Sequence, residues 1–494
     1  MSRPTLEDHL RTATRHFTAR LPEEEMFALG RDLARELVRA HAESPPRHPE
    51  IEPSTIAWAD GRPRLEGGGP AGLVAEDLLQ LGTLLHTLAT ARPADLSWRL
   101  DGPPPAELSS LERRAALAGL TSPRPEARFP SAAAALEALE AALAATPETT
   151  VPWALFRGDP GRTGRRDAPT PVAGLRPAWE APLGPVIASP VLTSRLVVVA
   201  GTDGRLHFLG RADGRAVHEM KLASALESSP AVLASRLHVG TDDGEVVGVD
   251  VKDGVLAYRT KAGKLVRASP LVEEGRVFVG VVDGKDAGAL LALDPATGKL
   301  RWRRRLGAVF SSPSRAGGRI LIGSDDGALH AVDPERGALV WSHRLGGRVR
   351  ATAAVAGELA VVSDFEGRVA AVRVADGTRA WLRELGHPVY SSAAITGPLA
   401  VLGCHDGSVY GLDLATGEPV FRVETRGPVV SSPVALGDRA FAGSTDGDLY
   451  LVGKDGLVAR TTVAREGLQS SPAVDAELLV VGSGRGVHAF HLVR

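Results

Sequence analysis

The sequence predicts a mainly β protein: an eight-bladed β-propeller of four-stranded blades, preceded by a small α-helical domain. Three observations carry this. The first is one unit, residues 311–341. It holds a Ser-Ser-Pro element, the apolar run 320–323, the turn Ser324-Asp325-Asp326-Gly327, the run 328–333, a second turn ending at Gly337, and Trp341 four residues later. Short β-branched runs separated by Asp/Gly turns read as an antiparallel meander. The second is recurrence. The third residue of the unit falls at Pro190, Pro230, Pro270, Pro313, Ala353, Ala393, Pro433 and Pro472, at spacings of 40, 40, 43, 40, 40, 40 and 39. The third is closure. The last copy stops after three strands, while an unmatched strand, 178–183, precedes the first copy. That spare strand is expected to complete the last blade, leaving no free lateral edge.

Bulk composition narrows the class. The 494 residues allow two or three domains, and 55 glycines suit a chain of many tight turns. A net charge of -2 gives no global field for nucleic acid or an anionic membrane. The single cysteine, Cys404, excludes an intramolecular disulfide and fits a reducing compartment. The first 20 residues hold no apolar core of a signal peptide, and no apolar run is long enough to span a bilayer. The expectation is a cytoplasmic protein without membrane insertion.

Residues 1–146 read as helical. Leu21-Pro22-Glu23-Glu24-Glu25 opens the first helix with acids in its first turn, and Phe27, Leu29, Leu33, Leu37 and Val38 follow at helical spacing. Further helices are expected at about 75–90, 106–120 and 131–144, with a Pro/Gly-rich break at 45–72. The order of motifs resembles the C-terminal lobe of a bacterial eukaryotic-like Ser/Thr protein kinase. His48-Pro49-Glu50-Ile51-Glu52-Pro53-Ser54-Thr55-Ile56 sits where that family has its catalytic loop, residues 60–65 where it has a hairpin, and Pro125 to Leu139 where it has its closing element. The resemblance implies a degenerate remnant. Glu50 stands for the catalytic Asp, Glu52 for the Lys, Thr55 for the metal-binding Asn, and Glu66 for the second metal-binding Asp. Kinase chemistry needs those groups and a nucleotide-covering lobe, for which too few residues precede the first helix. What remains is either a docking module or a cap on the propeller.

Residues 147–177 form a linker and a lead-in, Trp153-Ala154-Leu155-Phe156-Arg157-Gly158-Asp159, and residues 178–494 form the ring. The lead-in and the Asp294 to Trp302 motif resemble pyrroloquinoline-quinone-like (quinoprotein-like) propellers. No Trp-Asp dipeptide occurs, which speaks against WD40. The resemblance implies that one aromatic per outer strand docks against the neighbouring blade: Trp179, Tyr258, Trp302, Trp341, Trp381 and Phe421. His218 and Arg460 take that place in blades 1 and 7, whose edges should be weaker.

Candidate sites follow. The Asp/Gly turns read as hairpin turns rather than calcium loops, since no further acid follows at ligand spacing. The family's quinone cofactor would need a vicinal cysteine pair, and Cys404 is alone, so no cofactor is expected. Cys404-His405-Asp406 reads as turn filler. Arg301, Arg303, Arg304 and Arg305 read as a solvated outer strand rather than a nucleic-acid patch. The informative position lies three residues before each repeat anchor: Ile187, Glu227, Arg267, Phe310, Arg350, Tyr390, Val430 and Gln469. It varies in charge and size beside neighbours that are Ser, Ala or Thr. Glu227, Arg267, Phe310, Arg350 and Tyr390 are therefore expected to ring one mouth of the channel and contact a protein partner. The expected function is a non-catalytic interaction scaffold. The alternatives are an envelope assembly factor similar to the outer-membrane lipoprotein propeller, or an enzyme, either a kinase or a quinoprotein dehydrogenase.

Overall fold

The computed structural model describes residues 23–41, 56–59, 62–65, 81, 120, 129, 131–144, 153–168, 170–233, 236–251 and 254–494. Two compact units follow each other, with a boundary between Pro147 and Glu148.

The first unit contains α1 (Glu23–His41), the antiparallel strands β1 (Ile56–Ala59) and β2 (Arg62–Leu65), and α2 (Ala132–Ala144). Met26, Phe27, Leu29, Leu33 and Leu37 recur every three or four residues, so one stripe of α1 is buried. That stripe packs on α2 through Ala132, Ala135 and Leu139. Ser131 caps α2, its Oγ accepting from the Ala134 amide at 3.1 Å. Arg35 of α1 reaches Glu140 of α2 at 2.5 Å. The other two expected helices lie outside the described residues except for Leu81 and Leu120, both helical and buried. The kinase-motif positions Glu50, Glu52, Thr55 and Glu66 also lie outside them, as does most of the linker.

The second unit is an eight-bladed propeller. Blade 4 shows the pattern: Ser314–Ala316, Arg319–Ser324, Ala328–Val332 and Leu339–Arg344 pair antiparallel in sequence order from axis to rim. Burial follows the layers. The second and third strands are buried on both faces, as in Arg319–Ser324 and Ala328–Val332, while the outer strand alternates. Closure comes from β4 (Gly174–Ala181), which pairs antiparallel with Val487–Val493 and completes blade 8. Blade 7 departs from the expected four strands. There β3 (Arg165–Arg166) adds in parallel to the innermost strand, Val434–Leu436, because the lead-in passes along that strand's free inner edge.

In all eight blades the pairing of third and outer strands carries a register shift beside the aromatic position, as at Ala331/Val332 opposite Trp341. Such bulges add twist. The residue facing the aromatic is small: Gly248 faces Tyr258, Ala292 Trp302, Ala331 Trp341, Ala371 Trp381, Gly411 Phe421 and Ala489 Trp179. Blades 1 and 7 invert the sizes, Phe208 facing His218 and Tyr450 facing Arg460. Each tryptophan of this set donates its indole N–H to the next blade: Trp179 to Arg211 O (2.9 Å), Trp302 to Pro334 O (2.9 Å), Trp341 to Val374 O (3.0 Å) and Trp381 to Leu414 O (2.9 Å). The turn glycine of that next blade lies under the ring. A Cβ on Gly337, at φ +66°, would meet Trp302 at 2.6 Å. Phe421 differs. Blade 7 has a tighter turn, Gly453 pairing with Gly456, and the ring of Phe421 lies on Gly411 of its own blade.

Candidate functional site

Each blade brings two loops to one end of the axis: the lead-in to its innermost strand and the turn between its second and third strands. In the blades before the last, a tip amide bonds the lead-in of its own blade, as Asp325 does to Ala308 O (2.9 Å), Phe365 to Arg348 O (3.1 Å) and His405 to Pro388 O (3.0 Å). The lead-in of the next blade bonds back, as Val349 N does to Ser324 O (3.1 Å). Tips and lead-ins therefore interleave. The residue four before each anchor is buried, Val266, Val309, Val349 and Val389 among them, and the next residue points to solvent. That outward residue is the position singled out from the sequence.

The interleaving makes two arcs. Across blades 2 and 3, Arg267 binds the Asp242 carboxylate through two nitrogens (3.3 and 2.7 Å) and Glu227 through a third (2.9 Å). Burial pushes the Glu227 carboxyl up, against the pull of Arg267 beside it. Two carboxylates share one guanidinium, so this arc holds one negative charge in excess. Across blades 4 to 6, Arg350 lies 4.0 Å from the ring centre of Phe310 and 5.0 Å from that of Phe365, while its Nε and Nη2 hold Asp325 at 3.0 and 2.8 Å. The series continues from Phe365 to Tyr390 (4.2 Å between centres) and from Tyr390 to His405 (5.4 Å). Tyr390 is 41% exposed. Sequence reasoning picked out Glu227, Arg267, Phe310, Arg350 and Tyr390, and missed the tips Asp242, Asp325, Phe365 and His405. One signal was available: the tip varies as its neighbour does, in register with the same repeat.

The opposite end of the axis is built differently. The lead-in 153–164 crosses it, pairing with the residue two after the anchor in six blades. Trp153 exchanges two bonds with Leu192, and the carbonyls of Ala154, Pro160, Gly161, Thr163 and Gly164 accept from Val232, Arg315, Val355, Ile395 and Ala435. Blade 3 is reached by a side chain: Arg162 Nη2 donates to Pro270 O at 2.8 Å and Nε to Pro313 O at 2.9 Å. Arg157 donates to the carbonyls of Arg162, Pro433 and Ala393. Both guanidiniums are buried, which pulls each down to about 9, while Asp159 favours the charged form. Mouth and floor stand five residues apart along the innermost strands, roughly 16 Å.

Between them runs a collar. The residue before each anchor carries a hydroxyl in all eight blades. In seven of them the hydroxyl oxygen accepts the equivalent amide of the preceding blade at 2.9–3.1 Å: the Ser189 amide donates to Ser229, and the series runs on through Ser269, Ser312, Thr352, Ser392 and Ser432 to Ser471. Compact packing alone would admit alanine there, and none occurs.

The remaining candidates are structural in their surroundings. Gly244 and Gly327 take φ of +79° and +86°, and Asp326 accepts the Ala328 amide at 3.1 Å. Among the described residues no group of three or more His, Cys, Asp or Glu is placed to hold a metal. Cys404 is buried, and burial pushes its thiol up to about 12, far from a reactive thiolate. Arg301 and Arg303 pair with Asp294 and Asp283, and Arg304 bonds Gly337 O.

With this geometry fixed, comparisons place the chain among known proteins. The family described as "Outer membrane protein assembly factor BamB" matches residues 172–310 and 286–492. A comparison with curated protein sequences returned no match. Among solved structures, BamB from Moraxella catarrhalis superposes with a TM-score of 0.54 at 19% identity, covering 64% of this chain and 100% of that one. A europium-containing methanol dehydrogenase gives 0.59 at 14% identity, covering 68% and 90%. The quinohemoprotein alcohol dehydrogenase of Comamonas testosteroni gives 0.58 at 14%, covering 70% and 81%. At these identities the structural likeness speaks to the fold.

Proposed function

Because the chain belongs to the family of the outer membrane protein assembly factor BamB, we propose that it is a non-catalytic scaffold that gathers protein partners at the propeller mouth. The observation that carries this is the mouth itself. It presents a charged arc and an aromatic arc on a rigid ring whose other end is filled by the chain's own lead-in. An assembly role is also what the family's name describes. Residues 1–146 are read as a kinase-derived remnant that docks a regulator, and α1 followed by the hairpin 56–65 supports the order of elements in such a lobe. A cytoplasmic location goes with the reading. In the envelope alternative, the same mouth serves an assembly machine at the outer membrane.

The dehydrogenase reading is disfavoured on residues. A quinone seat of the family pattern needs two adjacent thiols, and the one thiol here lies buried in a blade turn. The direct test is affinity capture with the full-length chain, compared with a Tyr390→Ala/Arg350→Ala double variant. Partners held at the mouth are lost from the variant, and an unchanged capture profile overturns the reading. A magnesium-dependent thermal shift with ATP would instead favour a kinase.

A further inference from the structure

We propose that the mouth accepts an extended, arginine-containing segment of a partner protein, one basic side chain on the Tyr390–His405 end of the aromatic arc and another at Glu227 and Asp242. This rests on the reading of the mouth as the docking face and names the chemistry it selects.

Two independent features point the same way. The aromatic arc already holds one guanidinium, that of Arg350, between Phe310 and Phe365 with Asp325 as its counter-charge. One blade further on, the equivalent positions are Tyr390 and His405. They offer ring faces with no cation of this chain among those described over them, and Tyr390 and His405 are both exposed whereas Phe310 and Phe365 are half-buried. Exposed rings take a guanidinium by its attraction to the π face. The second feature is the charged arc. Arg267 divides itself between Asp242 and Glu227, so among the described residues these two carboxylates share one guanidinium. The two features belong to blades on different sides of the ring. A folded partner's single side chain would reach one of them, whereas an extended segment crossing the mouth reaches both. Small or uncharged residues, Val430, Thr445, Gln469, Gly484, Ile187 and Thr202, occupy the remaining arc and leave room for its backbone.

The test uses the full-length protein and a fluorescein-labelled glycine-serine peptide with an arginine near each end, read by anisotropy. The control peptide replaces both arginines by citrulline, which keeps the shape and removes the charge. The arginine peptide binds, and the citrulline peptide binds about tenfold more weakly or not at all, the loss of two modest cation contacts. Tyr390→Ala and Glu227→Gln each weaken the arginine peptide about threefold or more, and Gln469→Ala leaves it unchanged. Equal binding of the two peptides, no binding of either, or indifference to both substitutions overturns the proposal. If partner capture still depends on Tyr390 and Arg350 while the peptide fails, the docking reading stands and only the arginine chemistry is lost.

Discussion

Both ends of the axis are organised around two arginines, and the two pairs do opposite work. At the floor, Arg157 and Arg162 are 3% and 0% exposed, and each spends its donors on backbone carbonyls of several blades. At the mouth, the side chains of Arg267 and Arg350 are 38% and 29% exposed and face carboxylates and rings. A carbonyl buried in a strand end has no second occupation, so the floor arginines act as rivets. A half-exposed carboxylate or ring can exchange its partner for one from another molecule. The same residue type thus marks architecture at one end and recognition at the other, and burial with acceptor chemistry tells them apart.

The sharpest way to break this comparison is at the floor. Arg162→Ala is expected to cost about 2–6 kcal/mol in urea denaturation, since it strands buried carbonyls of Pro270 and Pro313 at about 1–3 kcal/mol each. Arg162→Lys should not restore it, because an ammonium cannot span carbonyls set in different blades. A loss below about 1 kcal/mol, the range of an exposed pair, would show that the floor is no rivet. Next comes the rim. Trp381→Ala, which removes a buried ring and its bond to Leu414 O, should cost about 3 kcal/mol, while His218→Ala should cost clearly less, as its ring has no such indole bond to offer.

A further effect is pH-dependent and vanishes at neutral pH. Burial holds His238 down to about 3 from its ordinary 6.5, with Tyr258 Oη 2.7 Å from Nδ1. A base with a depressed folded value favours the fold while neutral. Its contribution is complete above pH 6.5 and is lost as pH falls from 6.5 towards about 3, at no more than about 1.4 kcal/mol per pH unit. His238→Phe should flatten that limb of the stability curve measured by chemical denaturation. The smallest effect on stability belongs to the mouth: Tyr390→Ala should change it by less than about 0.5 kcal/mol while weakening partner capture. A large stability loss there would return the aromatic arc to architecture.

Much of this was legible beforehand. The blade count, the spare strand and the aromatic on six of the eight outer strands follow from residues repeating about every forty positions, and a strand declares its pairing within one hairpin. The five mouth residues were legible for the same reason, as variation in one register of a constant unit. The hydroxyl collar stands in plain view in the repeat, but its acceptor role requires a neighbouring blade. The fifth strand of blade 7 and the crossing of the axis by 153–164 left no periodic trace at all.

The sequence alone determined the wheel: local alternation makes strands, Asp/Gly turns make hairpins, and equal repeats can bury their sheets only on one another. The tertiary structure alone decided what meets at the hub. Arg157 finds Pro433 across 276 positions, and Asp325 finds Arg350 across 25. Those meetings follow from closing the circle, which brings equivalent positions of different blades to a common axis, and no local pattern in the chain encodes that convergence.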